Sequence, residues 1–484
     1  MSAPTVRSDS PFALAPPAAA ALEQRIAEAV AVARRDGEPA VASVTQDIEA
    51  ALDFSAAVLS SRRPADRFFC MEQPGRDGYA VCGLGEAIAV SRSGSDRFEG
   101  AAADCRRIAA RTLEDDQAAD PGRPPGAGPV FLGGFAFAAS GGATPEWSGF
   151  DPAQLVLPEL SIARKGDQAR LTVTVAVEPR TGGGAEAAEH ARRRVRDLAP
   201  AAMPLLDPSP TARPRVSGAA APSHYEDAVR RAVDRIREGQ MEKVVLAREV
   251  RVQTGRAIDP APVYDALRGG FPDCYCYCVG GPGGTFVGAS PELLVRRDGA
   301  RAQTVALAGT TRRSADPAVD DHLGEQLRQS AKNRDEQAIV QRRIQRTLDP
   351  VSVWVAAADE PSLIKVLNVQ HLATPIRAQL SDPVPVVELA GRLHPTPAVG
   401  GEPRAVAEPM IPALEGLDRG WYAGAVGWTD LVEDGEFCVA LRCALLRGEV
   451  AHLYAGCGIV ADSVPSEELA ETEVKLQALL PLLA

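Results

Sequence analysis

No stretch of this chain strings together the roughly 18 apolar residues that a membrane helix needs, which excludes a protein with helical membrane spans. Positive charge is in deficit. The chain has 52 Lys and Arg against 64 Asp and Glu, a net charge of −12, which speaks against nucleic acid or an anionic membrane as partner. Histidines number only 6, and no Gly-x-Ser-x-Gly elbow accompanies them, which speaks against a serine-hydrolase triad. There is no Walker A loop, no Gly-x-Gly-x-x-Gly opening a helix after a strand, and no internal repeat. None of the 9 cysteines forms a Cys-x-x-Cys pair. The run CYCYC, Cys274 to Cys278, puts three thiols on one face of a strand, but zinc asks for other spacing and nearby histidines. These cysteines read as small buried residues kept reduced in a cytoplasm. The first residues, MSAPTVRSDSPFALAPP, place paired prolines where a signal peptide would have its apolar core. They read as a disordered tail over 1–30 that leads into an alanine-rich helix.

What is present is the composition of a soluble globular protein, 45% hydrophobic and 24% charged, across 484 residues that can bury a large core. Before residue 198, strand-like runs such as YAVCGLGEAIAVS and ARLTVTVAVE alternate with turns. A short charged helix and a Pro/Ala/Ser-rich segment follow. We divide the chain into an N-terminal α+β part over 31–198, a linker over 199–222 and a second region over 223–484. The second region opens with a helix that Ser223 and Glu226 cap as a box, with Val229, Val233 and Ile236 as apolar stripe and Gly239 as stop. Strands are expected at 243–253, 274–279, 285–288 and 293–297, with GGPGG as a hairpin turn. One long helix is expected over 320–348, two strand pairs between 420 and 460, and a last helix from Ser466. Hairpin-joined strands with helices at intervals predict an α+β fold of mostly antiparallel packed sheets flanked by helices.

Several polar residues stand in apolar surroundings. Lys243 opens the run KVVLA, a poor place for an ammonium group unless it reaches water or is wanted neutral. Arg442 sits alone inside CVALRCALL, where a buried guanidinium calls for a carboxylate of protein or ligand. Glu336 lies at the edge of a helical stripe that Val340 and Ile344 continue inward. Glu468, Glu471 and Lys475 line up at i, i+3, i+7 on the last helix. Spacing alone leaves two readings of these glutamates: surface pairs such as Glu471 with Lys475, or ligands of Mg²⁺. The glycines of AGCGIV allow either an anion near backbone N–H groups or a tight turn. Glu292, between two strand runs, is placed to face a cleft, and His371 and the loop LHPTPAVGGEP complete the set.

The motifs EKVVLAR, GASPELL, LAGTTRR, SAKNRDEQAIV, VQHLATPI, LHPTPAVGGEP, RGWYAGAVGW, VALRCA, YAGCGIV and EELAETEVKL follow one another in order and spacing. Through them the chain resembles the chorismate-utilising enzymes, of the anthranilate synthase component I type, and more narrowly the isochorismate synthases. The resemblance covers 223–484 strongly and the earlier part more thinly. It implies Lys243 as general base activating water for attack at C2 of chorismate, and Glu292 as general acid protonating the departing C4 hydroxyl. It implies Glu336 and Glu471 as Mg²⁺ ligands, with Glu468 acting on the metal through water. Tyr422 and Arg442 match the pair that grips the pyruvyl carboxylate. Thr310, His371, Ala398, Lys475 and the amides around Gly458 match substrate contacts. Such a base must lie where burial or a like charge favours the amine, and such an acid where an apolar setting keeps it protonated.

Lys243 argues for water rather than ammonia as nucleophile, so no glutamine amidotransferase subunit is expected. Pro397, Ala398 and Val399 differ from the loop of salicylate synthases, which favours stopping at isochorismate. The alternatives are a salicylate synthase, which goes on to eliminate pyruvate, and a non-catalytic chorismate-binding subunit. Asn333 and Gln337 stand where the family often has an acid and a histidine, and the expected consequence is weaker Mg²⁺ affinity. The resemblance further implies a cytoplasmic monomer whose product feeds siderophore, menaquinone or salicylate biosynthesis.

Overall fold

The computed structural model describes residues 10–115, 122–180, 184–207 and 213–483. Its chain builds a 13-stranded and a 10-stranded sheet, almost wholly antiparallel, with helices on their outer faces and ends. This is the α+β architecture expected. Fully buried strands such as Tyr79–Leu84 and Val130–Phe135 read as continuous apolar runs because both of their faces are covered. No helix among the described residues is long and apolar enough to cross a membrane.

Both sheets take strands from both sides of residues 199–222. Strand Phe68–Gln73 pairs with Tyr275–Gly281 in the larger sheet, and Val130–Phe135 pairs with Ala425–Asp430 in the smaller. Between the sheets lies a cluster of aromatic rings. Phe150, Phe286 and Trp421 meet at centroid distances of 5.3–6.4 Å, and Trp147 stacks on Tyr454, which stacks on Tyr422 at 5.2 Å. Aromatic residues make up only 5% of the chain. Concentrating them here stiffens the wall behind the site, each ring pair adding about 0.5–1.5 kcal/mol beyond its burial.

The structure corrects five expectations. Residues Pro16–Asp36 form a helix and Phe12, Leu22 and Ile26 are buried, so the tail expected over 1–30 holds structure from residue 10 onward, while 1–9 lie outside the described residues. Alanine permits this because its small side chain lets the helix lie close against the sheet. The helix Pro222–Arg237 has Ala221 as N-cap with no side-chain cap, so the Ser223–Glu226 box does not form. Pro222 at the first turn, with its fixed φ, sets the start instead. The linker contributes the strand Arg215–Gly218, paired with 250–253. The helix expected over 320–348 is two, Pro317–Gln329 and Ala331–Leu348, broken where Ser330 turns extended and accepts the Asn333 N–H. The run CVALRCALL is likewise two strands, because Arg442 adopts φ 49° between them.

Candidate active site

Lys243 is the first residue of strand Lys243–Gln253 and is wholly buried, so its side chain does not reach water. Its Nζ lies 2.8 Å from Glu336 Oε1, an ion pair without hydrogen-bond alignment. Strand Val450–Ile459 runs alongside, with Gly458 opposite Val245. A Cβ at Gly458 would stand 2.3 Å from Glu336 Oε1 and 2.8 Å from Lys243 Cε, so only glycine lets the two charges meet. Gly456 and Gly458 belong to a continuous strand, which removes the tight-turn reading of AGCGIV.

Glu336 is held by the packing of its helix. Val340 and Ile344 are buried beneath it, and Gln337 Nε2 donates to Ala306 O at 2.8 Å and to Thr374 Oγ1 at 2.9 Å. Gln337 therefore anchors the helix. Asn333, by contrast, lines the cavity and donates to Ser330 Oγ at 2.8 Å.

Glu292 and Arg442 both sit where the chain crosses between sheets. Glu292 lies between strands Gly284–Ser290 of the larger sheet and Leu293–Asp298 of the smaller, and Arg442 between Gly435–Val439 of the smaller and Cys443–Arg447 of the larger. The crossings are stitched together by Ala289 N–H to Arg442 O at 3.1 Å and Val439 N–H to Glu292 O at 3.0 Å. The left-handed backbone of Arg442 is costly for a non-glycine residue and places its guanidinium toward His371. His371 Nε2 accepts from Arg442 at 3.1 Å, so Nδ1 carries the proton and faces Thr310 Oγ1 at 3.1 Å and Gly309 O at 3.3 Å. Burial, with Arg442 and Lys475 nearby, holds His371 well below the usual range and hence neutral. A register slip at Gly309, φ 72°, puts Thr310 opposite this imidazole.

One cavity collects these groups. It is lined by Glu292, Thr310, Glu336, His371, Ala398, Tyr422, Arg442, Gly458, Glu468, Glu471 and Lys475, with Lys243 directly behind Gly458. All twelve candidate residues thus converge. A roomier cavity of about 340 Å³ lies between the sheets elsewhere, but Arg67 is the only charged residue in its lining, so size does not mark the reactive site. Sequence reasoning gave no role to Lys332, Tyr454 or Thr396. The period-two spacing of Gly456 with Gly458 was a readable signal, whereas nothing local singled out Tyr454.

Burial drives the Glu292 carboxyl up to about 8, against the opposing pull of Lys243, Arg442 and Thr396. The other glutamates have lysine partners: Lys332 Nζ is 3.0 Å from Glu468 Oε1, and Lys475 Nζ is 2.6 Å from Glu471 Oε1. Burial would raise Glu471, but Lys475 and the Cys457 thiol outweigh it and hold the carboxyl low. Burial would lower Lys332, yet Glu468, Glu336 and Glu471 together raise it. An ammonium already rests among the three carboxylates, so this corner is built for a cation, and hard oxygen donors suit Mg²⁺. The opposite corner awaits an anion: Arg442 Nε and Tyr454 Oη are buried there without a hydrogen-bond partner.

Comparison with known proteins agrees with this geometry. The family model of chorismate binding enzymes matches residues 24–484. The chain is 40% identical over 351 residues to the salicylate biosynthesis isochorismate synthase of Pseudomonas aeruginosa, covering 72% of this chain and 73% of that protein. It is 36% identical over 360 residues to isochorismate synthase MenF of Bacillus subtilis, covering 74% and 75%. Among solved structures, the menaquinone-specific isochorismate synthase MenF of Escherichia coli superposes with a TM-score of 0.77 at 27% identity, over 95% of this chain and 100% of that one. A match across nearly the whole chain, on top of a cavity with one cation-seeking and one anion-seeking corner, places this protein in the family of chorismate-binding enzymes.

Proposed function

We propose that this protein is an Mg²⁺-dependent isochorismate synthase. The observation that carries the reading is a buried lysine directly behind Gly458 of a cavity that is lined by a glutamate raised to about 8 and by three lysine-paired carboxylates.

In its neutral form Lys243 acts as base: its amine takes a proton from water as the water oxygen bonds to C2 of chorismate. The ring double bonds shift, and the C4 hydroxyl leaves with the proton of Glu292. Water is consumed and released, so the reaction is an isomerisation and runs in both directions with acid and base exchanging roles. General acid–base partners of this kind contribute about 10²–10⁴-fold each. Glu336 and Glu471 would hold the metal, Glu468 would orient its water, and the bound ion would neutralise the ring carboxylate. Arg442 and Tyr422 receive the pyruvyl carboxylate, while Thr310, His371, Ala398, Lys475 and Gly458 fit the ring. In an acidic chain these local cations must outweigh the global charge to admit a dianion. The reaction needs no ammonia, and the chain works without an amidotransferase subunit, as a cytoplasmic monomer.

Incubation with chorismate and Mg²⁺, followed by chromatography, tests the reading. Isochorismate as sole product is expected. Salicylate with pyruvate would instead indicate a salicylate synthase, and absence of turnover at saturating Mg²⁺ would indicate a binding subunit. Lys243→Ala abolishes turnover.

A further inference from the structure

Strand Lys243–Gln253 has a gap along one edge. Residues 243–244 pair with Gly401–Glu402 and 250–253 pair with Arg215–Gly218, but among the described residues no strand covers the stretch between. Two side chains fill it. Glu415 Oε1 accepts the Ala247 N–H at 2.7 Å, and Arg419 donates to Val245 O at 2.9 Å. The two residues form a bidentate ion pair whose side chains are 1% and 2% exposed. Arg419 also donates to Val399 O at 2.8 Å, and its own carbonyl accepts the Tyr422 N–H at 2.9 Å. Val245, Ala398, Val399 and Tyr422 all line the cavity, and Thr396 of the same loop lies close enough to Glu292 to lower its proton affinity.

We propose that Arg419 is a positioning residue for the reaction: held by Glu415, it fixes the strand bearing Lys243, the loop bearing Thr396 and Ala398, and the turn bearing Tyr422 in one arrangement. It touches no reacting atom. The inference rests on the isochorismate synthase reading for its chemical consequence, not for the clamp itself. An arginine is required because only a planar fork serves one carboxylate and two carbonyls in different directions. A lysine supplies the charge that Glu415 needs without that fork.

The test is Arg419→Lys, with Glu415→Leu/Arg419→Met as a second variant that removes both charges together. Each is measured by circular dichroism, by kcat and KM for chorismate with Mg²⁺, and by hydrogen exchange at the Val245, Ala247 and Gly400 amides. The expected result is a folded protein with KM within about threefold, kcat lower by about 100-fold, and faster exchange confined to those amides. Near-native kcat in a folded variant overturns the proposal. So does loss of fold in both variants, which reduces the pair to a structural element. If the unmodified protein leaves chorismate unchanged, the substrate reading fails, whereas the exchange result still decides the clamp.

Discussion

Glu292 and Glu471 are the same residue type on two walls of one cavity, and they are tuned in opposite directions. Glu292 meets burial with only distant cations and is pushed up to about 8. Glu471 meets burial too, but Lys475 touches it and holds it low. Between these two the touching lysine decides the direction: the Glu292 carboxyl keeps its proton, whereas the Glu471 carboxylate stays ionised. Contact alone is not enough, since burial and Glu471 raise Glu468 although Lys332 touches it.

The strongest way to break this contrast is Glu292→Gln, which removes the proton and keeps the shape. We expect kcat to fall by about 10³-fold with Mg²⁺ affinity unchanged, measured by steady-state kinetics and calorimetry. Glu471→Gln should do the reverse, weakening Mg²⁺ by at least the roughly 10–100-fold that even an outer partner of a metal ligand is worth. Calorimetric titration reads it directly.

A pH titration sharpens the contrast. In the proposed reaction the protonated form of Glu292 is the active one, so its contribution to turnover should hold below its raised value and fall about tenfold per unit above about 8. The sign for stability is the same. The folded value lies above the ordinary 4.5, so the contribution is complete below 4.5 and is lost as pH rises through about 8. Glu292→Gln should flatten that slope in thermal melts. The smallest effect is expected from Asn333→Asp, which adds a carboxylate beside the cation corner. A gain in Mg²⁺ affinity of a few-fold, equivalent to about 0.2–1 kcal/mol, is the expected outcome by calorimetry.

Much of this site was legible because its residues sit in local patterns. Glu336 lies at helical spacing from Val340, Glu468, Glu471 and Lys475 share a helix line, and Lys243 interrupts an apolar strand. The breaks at Ser330 and Arg442 were not legible. Each depends on a backbone turn that neighbouring sheets impose, and the flanking residues favour a continuous helix or strand. The capping box failed for a local reason, since Pro222 starts the helix two residues too early for Ser223 to serve as cap.

The sequence by itself determined the α+β class, most strands from 243 onward and the polar residues that stand in apolar surroundings, because side-chain type and period-two or helical spacing are local properties, while Thr310, Ala398 and Tyr422 came through the family resemblance. Only the tertiary structure decided that Lys243 meets Glu336, that Glu292 stands apart from any touching cation, and that Glu415 and Arg419 fill a gap in a strand edge. Those facts arise from contacts between residues 93 to 174 positions apart, and charge, burial and proton affinity depend on such contacts, which no local pattern encodes.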